Sequence, residues 1–270
     1  MTIKAQIENI LNEVVTAEYT LKNPPKYEMR CSTLSKFCQI AFLISKIEND
    51  LEREYFTKDF YCSVGTAVHS VLQKWLGIKH YLYGLWECPI CNKIQEGFGP
   101  KHCDNTLCIY KEYELSWKGM SGHCDGLILL NNQFYILEFK TISLKSLQER
   151  RKQNKPFFFH SNQVNMYVLM GQKLKLPKPL IGGIIIYIAR DNPKHFLVFV
   201  QSGVDLESIN NVITLYQDVE IRNKTGNFKG IVKACSNLQD AQYCPYKSLC
   251  FKGDVELYLK NLWALYHGKK

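Results

Sequence analysis

Asp125, Glu138 and Lys140 are the residues of this chain whose types and spacing best suit chemistry. Glu138 and Lys140 flank Phe139, so on a strand they share one face, because side chains alternate with period two. Between Asp125 and Glu138 run two apolar stretches, Gly126 to Leu130 and Phe134 to Phe139, separated by Asn131-Asn132-Gln133, a turn-forming segment. A hairpin of this kind brings the aspartate beside the glutamate. Paired carboxylates bind a divalent cation such as Mg²⁺ or Mn²⁺, a bound cation lowers the pKa of water, and a nearby ammonium positions that water or offsets developing charge. Phosphodiester hydrolysis needs this equipment. Surface strands often alternate charge with apolar residues. Here, however, Ile136, Leu137, Phe139 and Leu127 to Leu130 are apolar on both faces, which places the pair centrally in a sheet, where charges usually have a task or a partner. Glu114 is a weaker candidate for the same acidic site.

Cysteine supplies the second chemistry. Eleven cysteines in a chain without an export signal argue for metal ligation more than for disulfides. Cys88-Pro-Ile-Cys91 and Cys103-x-x-x-x-Cys108, eleven residues apart, place four thiolates on two knuckles that can close around one tetrahedral Zn²⁺. The segment from Trp86 to Ile109 is rich in Cys, Gly, Asn and Pro, has little apolar material of its own, and is expected to be an inserted loop ordered by that metal. A Cys₄ site with no open position would be structural. Lys93, Lys101 and His102 could let this knuckle touch DNA or form an ordinary solvated surface.

Around these residues the chain reads as alternating elements. Met1 to Glu18 is expected to be an amphipathic helix with Ile7, Ile10, Leu11, Val14 and Val15 on one face, broken at Pro24 and Pro25. Ser32 or Ser35 could cap a helix running through Cys38 to about Ile47. Val64, Val68, Val71, Leu72 and Trp75 mark a helix that ends near Gly77 and carries His69 on its flank. After the Asp125/Glu138 hairpin comes a helical stretch of about residues 143–173. Strands follow at Ile181 to Ala189 and Phe196 to Val200, then helices at about Leu206 to Arg222 and Val255 to Tyr266. This order predicts one α/β domain over residues 1–270, with a central mixed sheet flanked by helices and an insertion at 86–110. Repeats and low-complexity tracts are absent from the sequence.

The series His69, then Ser121-Gly122-His123-Cys124-Asp125, then Leu137-Glu138-Phe139-Lys140-Thr141, then Gln163-x-x-x-Tyr167 is similar to the motif series of the PD-(D/E)XK nuclease superfamily, in its Cas4/RecB-type branch. The resemblance spans about residues 30–250 and implies a restriction-endonuclease-like core. It gives His69, Asp125, Glu138 and the Phe139 carbonyl to the metal, Lys140 to the attacking water, and Gln163 and Tyr167 to support of the site and DNA. Gly65-x-x-x-His69 followed by Leu72-Gln73 fits the same pattern. Cys244-Pro-Tyr-Lys-Ser-Leu-Cys250 resembles the iron–sulfur segment of Cas4 and AddB-type nucleases, which implies a [4Fe–4S] cluster on Cys38, Cys235, Cys244 and Cys250, within a C-terminal segment 235–250. The chain departs from the pattern at Ala241, so the fourth ligand would be Cys235 or Cys31; a Zn²⁺ site or buried free thiols are the alternatives. Cys62 and Cys124 are expected to be buried free thiols.

A formal charge of +9 favours an anionic partner. Arg150, Arg151, Lys152 and Lys155 form a basic cluster, followed by Phe157, Phe158, Phe159 and His160. The phenylalanines are either stacking positions for single-stranded DNA or core residues. No base-reading motif is visible, so recognition of backbone and free ends is expected. The resemblance therefore implies a Mg²⁺- or Mn²⁺-dependent deoxyribonuclease, an exonuclease on single strands or ends in recombination, repair or replication. A non-catalytic DNA-binding or scaffold subunit is the reading from a different class. With no ATP-binding P-loop, Gly-x-x-x-x-Gly-Lys-Ser/Thr, any unwinding motor would be a helicase or recombination partner. With no run of about 18 apolar residues and no signal peptide, a soluble cytoplasmic protein without membrane partners is expected.

Overall fold

The computed structural model describes residues 18–20, 29–35, 38–48, 53–99, 101–232 and 246–267. The expected N-terminal helix, the Pro24-Pro25 break, Cys235 and Cys244 lie outside the described residues. In chain order the helices are α1 (Cys31–Leu34), α2 (Gln39–Glu48), α3 (Phe56–Ile78), α4 (Leu144–Gln153), α5 (Phe158–Gly171), α6 (Leu206–Thr225), α7 (Lys247–Lys252) and α8 (Val255–His267). The strands are β1 (Glu18–Thr20), β2 (Arg53–Tyr55), β3 (Leu82–Glu87), β4 (Ile94–Phe98), β5 (Lys101–His102), β6 (Thr106–Leu107), β7 (Ile109–Lys111), β8 (Tyr113–Trp117), β9 (Met120–Cys124), β10 (Gly126–Leu130), β11 (Gln133–Ile142), β12 (Leu180–Ala189) and β13 (Phe196–Ser202). Among the described residues no helix is long and apolar enough to cross a membrane.

Chain contacts group these elements into two compact units. The first is built on a seven-stranded sheet of order β13-β12-β11-β10-β3-β4, with β7 also pairing β3. β11 and β12 are parallel and the other pairs antiparallel, so the sheet is mixed. A parallel pair needs a crossover, which α4 and α5 supply between β11 and β12. Leu137, Phe139 and Ile184 face α3 through Leu72 and Leu76, whereas Ile136 and Gly183 face α5, Gly183 against Val164. Helices thus cover both faces, as the order of elements predicts. Burial on both sides explains why β11 and β12 read as nearly continuous apolar runs.

The hairpin joining β10 and β11 pairs Gly126 with Leu137 and Leu130 with Gln133. Its turn residues Asn131 and Asn132 take φ of 49° and 64°, the left-handed values that asparagine tolerates best among residues with a side chain. Elsewhere the structure revises the sequence reading. The helix expected to start at Ser32 or Ser35 and run to about Ile47 is described as two, α1 ending at Leu34 and α2 beginning at Gln39, with Ser35 and Cys38 outside both. The helix expected over 143–173 is also two: Asn154 closes α4 at φ 48°, and Pro156 lies in the gap before α5. The 86–110 insertion is not only loop, since β4 and β7 both pair with β3.

In the second unit α2 packs against α8. Gln39 organises its centre, its amide donating to the Asp218 carboxylate at 2.8 Å and its carbonyl accepting from the Val232 amide at 3.1 Å. Phe42 meets Tyr216 edge-on at 5.4 Å, and Lys46 pairs with Glu220. Within this unit Cys38 is half-buried and Cys250, on α7, is buried.

Candidate active site

Asp125 sits between β9 and β10, one residue before the hairpin pairing begins, so its side chain stands opposite Glu138. Its Oδ2 accepts the Phe139 amide at 2.6 Å, in place of the strand pairing that ends at Gly126. Its Oδ1 lies 3.1 Å from His69 Nδ1, brought in by α3. Gln73, one helical turn beyond His69, donates to the Asp125 carbonyl at 2.9 Å and to Glu112 Oε1 at 3.2 Å. The Lys140 ammonium lies 2.6 Å from Glu138 Oε1, as two residues on one face of a strand must. From α5, Gln163 donates to the Tyr167 hydroxyl at 2.8 Å, and both side chains are buried. The Tyr167 ring covers Gly122, where an added Cβ would stand 2.6 Å from Cε1.

The electrostatics of this cluster are strongly acidic. Burial pushes the Glu138 carboxyl up to about 8, the neighbouring Asp125 adds to the effect, and Lys140 opposes it. Glu138 Oε2 is buried and has no hydrogen-bond partner. Burial and then the Glu138 charge also raise the Cys31 thiol to about 12 and push Tyr167 upward. Cys124, fully buried as expected, is raised by the same two causes with Asp125 added.

The donor types here suit a divalent cation, although the ligand atoms of His69, Asp125 and Glu138 do not all lie within 4.8 Å of one another as those of the cysteine-rich group in the insertion do. Ligand atoms on adjacent corners of an octahedron of about 2.1 Å radius stand about 3.0 Å apart, close to the His69–Asp125 separation. The unpartnered Glu138 oxygen offers a further hard donor. Positive charge would also relieve the repulsion between the carboxylates.

Thus His69 and the Phe139 amide meet Asp125, Lys140 meets Glu138, and Gln163 meets Tyr167, with Asp125 and Tyr167 each coupled electrostatically to Glu138. Glu114 is not among them: it pairs with His123 across β8 and β9 and is exposed. Glu112 is instead the acid tied to the site, through Gln73. Gln73 carried a legible signal, its four-residue spacing from His69, whereas Glu112 carried none. Cys31, the alternative cluster ligand, is fully buried and would lie 3.4 Å from a Cβ at Gly122. Cys62 is exposed rather than buried, because it lies on the outer side of α3. Cys38 and Cys250 are described, whereas Cys235 and Cys244 lie outside the described residues.

The basic cluster is only partly on display. Arg150 turns inward, its guanidinium 4.3 Å from the Phe157 ring centroid, and Arg151 donates to the Phe196 carbonyl at 3.2 Å. Lys152 and Lys155 are exposed. Phe157 and Phe159 stack at 5.3 Å while Phe158 is exposed, so the three phenylalanines divide between packing and surface.

In the insertion, ligand atoms of Cys88, Cys91, His102 and Cys103 all lie within 4.8 Å of one another, an arrangement that could hold a metal ion. His102 stands in this group where the sequence reading placed Cys108. Cys108 is instead buried among Leu82, Trp86, Leu137 and Phe139, near enough to Cys88 for its thiol to be raised by burial and by that neighbour. The backbone amides of Cys91 and Ile90 point at the Cys88 sulfur and help lower it to about 6, which favours a thiolate.

No protein-family model matches the chain, and no curated protein does. Among solved structures it is similar to the crystal structure of SSO0001, with 13% identity, TM-score 0.41, 93% of this chain and 96% of that one covered. It is also similar to an alkaline exonuclease, LHK-Exo, from Laribacter hongkongensis, with 12% identity, TM-score 0.43, 72% of this chain and 89% of that one covered. The complex of LHK-Exo with dAMP gives 11% identity, TM-score 0.42, and coverage of 74% and 93%. Likeness this slight transfers nothing from those proteins, and the functional reading stands on the geometry of the site.

Proposed function

We propose that this chain is a divalent-cation-dependent deoxyribonuclease of PD-(D/E)XK type, acting on single strands or free ends. The observation that carries this reading is the buried, unpartnered Glu138 oxygen, coupled electrostatically to the Asp125 carboxylate that meets His69, with Lys140 held on the same strand face. A structural ion pair of Glu138 and Lys140 would not need a second, buried carboxylate close enough to raise the Glu138 carboxyl.

In this reading His69, Asp125, Glu138 and the Phe139 carbonyl hold Mg²⁺ or Mn²⁺. When bound, the cation supplies Lewis acidity for water and charge for a phosphate oxygen. The Phe139 amide and Gln73 fix Asp125 from both sides, which limits the reorganisation needed when substrate arrives. The Lys140 ammonium is placed to donate to the attacking water or to the scissile phosphate. Tyr167, oriented by Gln163, closes the wall behind Glu138. Lys152 and Lys155 offer charge to the DNA backbone, contacts that weaken with added salt and carry no sequence preference. The same reading keeps a [4Fe–4S] cluster on Cys38, Cys235, Cys244 and Cys250, checked by counting iron and sulfide in protein purified without oxygen.

The test is incubation of single- and double-stranded DNA, and of RNA as a comparison, with the protein in chelator, Mg²⁺ or Mn²⁺. DNA cleavage only with a cation is expected. Unchanged DNA under every condition, despite binding, would favour a scaffold role.

A further inference from the structure

We propose that Cys88, Cys91, His102 and Cys103 hold one structural Zn²⁺, with Cys108 outside the coordination sphere, and that this ion clamps β7 against β3. Tetrahedral zinc with sulfur at about 2.3 Å and nitrogen at about 2.0 Å puts neighbouring ligand atoms roughly 3.5–3.8 Å apart. His102 Nδ1 lies 3.4 Å from Cys91 Sγ and 3.1 Å from Cys103 Sγ, and all four ligand atoms fall within 4.8 Å of one another. Three thiolates and one imidazole in a closed set select zinc over the hard, oxygen-seeking cations that suit Asp125 and Glu138.

The backbone around this group is held in unfavourable conformations. Asn92, directly after Cys91, has φ 57°, and Cys103, Asp104 and Asn105 form a consecutive left-handed run at 31°, 49° and 63°. Residues with a Cβ adopt such values only where their surroundings over-determine them. These are the turns of two hairpins: the pairing of Glu87 with Ile94 and the Cys88 amide on the Lys93 carbonyl at 2.9 Å close the first, and the pairing of His102 with Thr106 and the Thr106 amide on the Cys103 carbonyl at 2.9 Å close the second. The two turns carry the four ligand atoms to one point. Cys108 shares the apolar cluster with Cys88 and lies within hydrogen-bonding reach of its thiol, but it does not belong to the group of ligand atoms that lie within 4.8 Å of one another.

The clamp has a reach beyond the insertion. Cys88 follows β3 directly, and the ligands His102 and Cys103 lead through β6 and Cys108 into β7, so closing the insertion holds Ile109–Lys111 in register on Leu85–Glu87. The residue after β7 is Glu112, which accepts from Gln73, the side chain that also holds the Asp125 carbonyl.

Neither the ligand set nor the clamp depends on the nuclease reading, and both are measured without DNA, in wild type and in Asp125→Ala. One equivalent of zinc per chain is expected in each. X-ray absorption at the zinc edge should give three sulfurs and one nitrogen. His102→Cys should retain zinc and move the d–d bands of Co²⁺-loaded protein to the four-sulfur pattern, while His102→Ala should weaken Zn²⁺ in chelator competition by roughly a hundredfold or more. Chelation of the zinc should speed amide exchange at Ile109–Glu112 ahead of β12. A protein that retains no zinc, or a zinc edge with four sulfurs in the wild type, would overturn the assignment, and unchanged exchange at β7 would overturn the clamp. Cys108→Ser should retain its zinc, and loss of the metal from the folded variant would count against the assignment; should it misfold, the wild-type edge spectrum still decides between His102 and Cys108.

Discussion

Glu138 is nearly sealed from solvent, beside a second carboxylate, with one oxygen on Lys140 and the other on nothing. Its carboxyl is raised from 4.5 to about 8, chiefly by burial. A carboxyl whose folded pKa is raised contributes stability that is fully present below its unfolded pKa and is lost as pH rises through the folded one. Cation-free protein is therefore expected to lose stability, on the order of a few kcal/mol, between about pH 4.5 and pH 8, and the gain in melting temperature on adding Mn²⁺ should grow over the same window. Scanning calorimetry at several pH values measures both effects, and Glu138→Gln should flatten them. A wild-type profile as flat as the variant's would count against the burial argument. At this scale Asp125, Glu138 and Lys140 were legible in the sequence because period-two alternation and one hairpin fix their relation. His102 was not legible as a member of the Cys/His group in the insertion, because spacing alone could not distinguish it from Cys108; it stands there beside the left-handed turn that begins at Cys103.

Elements position these residues through a few close contacts. α3 contributes His69 to the acidic cluster and Gln73 to the backbone of Asp125. Gln73→Leu keeps approximate size and removes both hydrogen bonds. It is expected to weaken Mn²⁺ binding by roughly 10–100-fold, read by calorimetric titration, since partners of metal ligands act at that level. Unchanged affinity would mean that the helix alone sets Asp125. On the opposite side, β9 approaches α5 at Gly122, where a Cβ would meet the Tyr167 ring at 2.6 Å. Gly122→Ala should cost about 1–3 kcal/mol by denaturant melts, as overpacking does, whereas wild-type stability would show that the ring moves aside freely. The β10–β11 hairpin was readable from Asn131-Asn132 and its flanking apolar runs. The strands of the insertion were not, because they are short and their pairing with β3 depends on contacts distant in sequence. The helical period carried the reading of 143–173 past Pro156, although the proline marks the break between α4 and α5.

The whole first unit sets the Asp125 and Glu138 carboxylates in the middle of a mixed sheet, with α3 and α5 on opposite faces and, at the end of β3, an insertion whose Cys/His group could hold a metal ion. The fold class was legible because the order of strands and helices constrains topology, and the burial of both sheet faces left long apolar runs in the sequence. Polarity and substrate form leave no comparable trace, since contacts to phosphates carry charge but no pattern. They are read directly by cleavage. End-labelled single-stranded DNA should be followed with wild type, Asp125→Ala and Lys140→Ala in Mg²⁺ and in Mn²⁺, with melting curves and DNA binding measured beside each. Wild type should cut, with the ladder giving its direction. Both variants should lose at least about a hundredfold in rate, while binding DNA and remaining folded. Cleavage by Lys140→Ala or Asp125→Ala at the wild-type rate, or a folded wild type that binds DNA and cuts with neither cation, would contradict the assignment of this site as a nuclease centre.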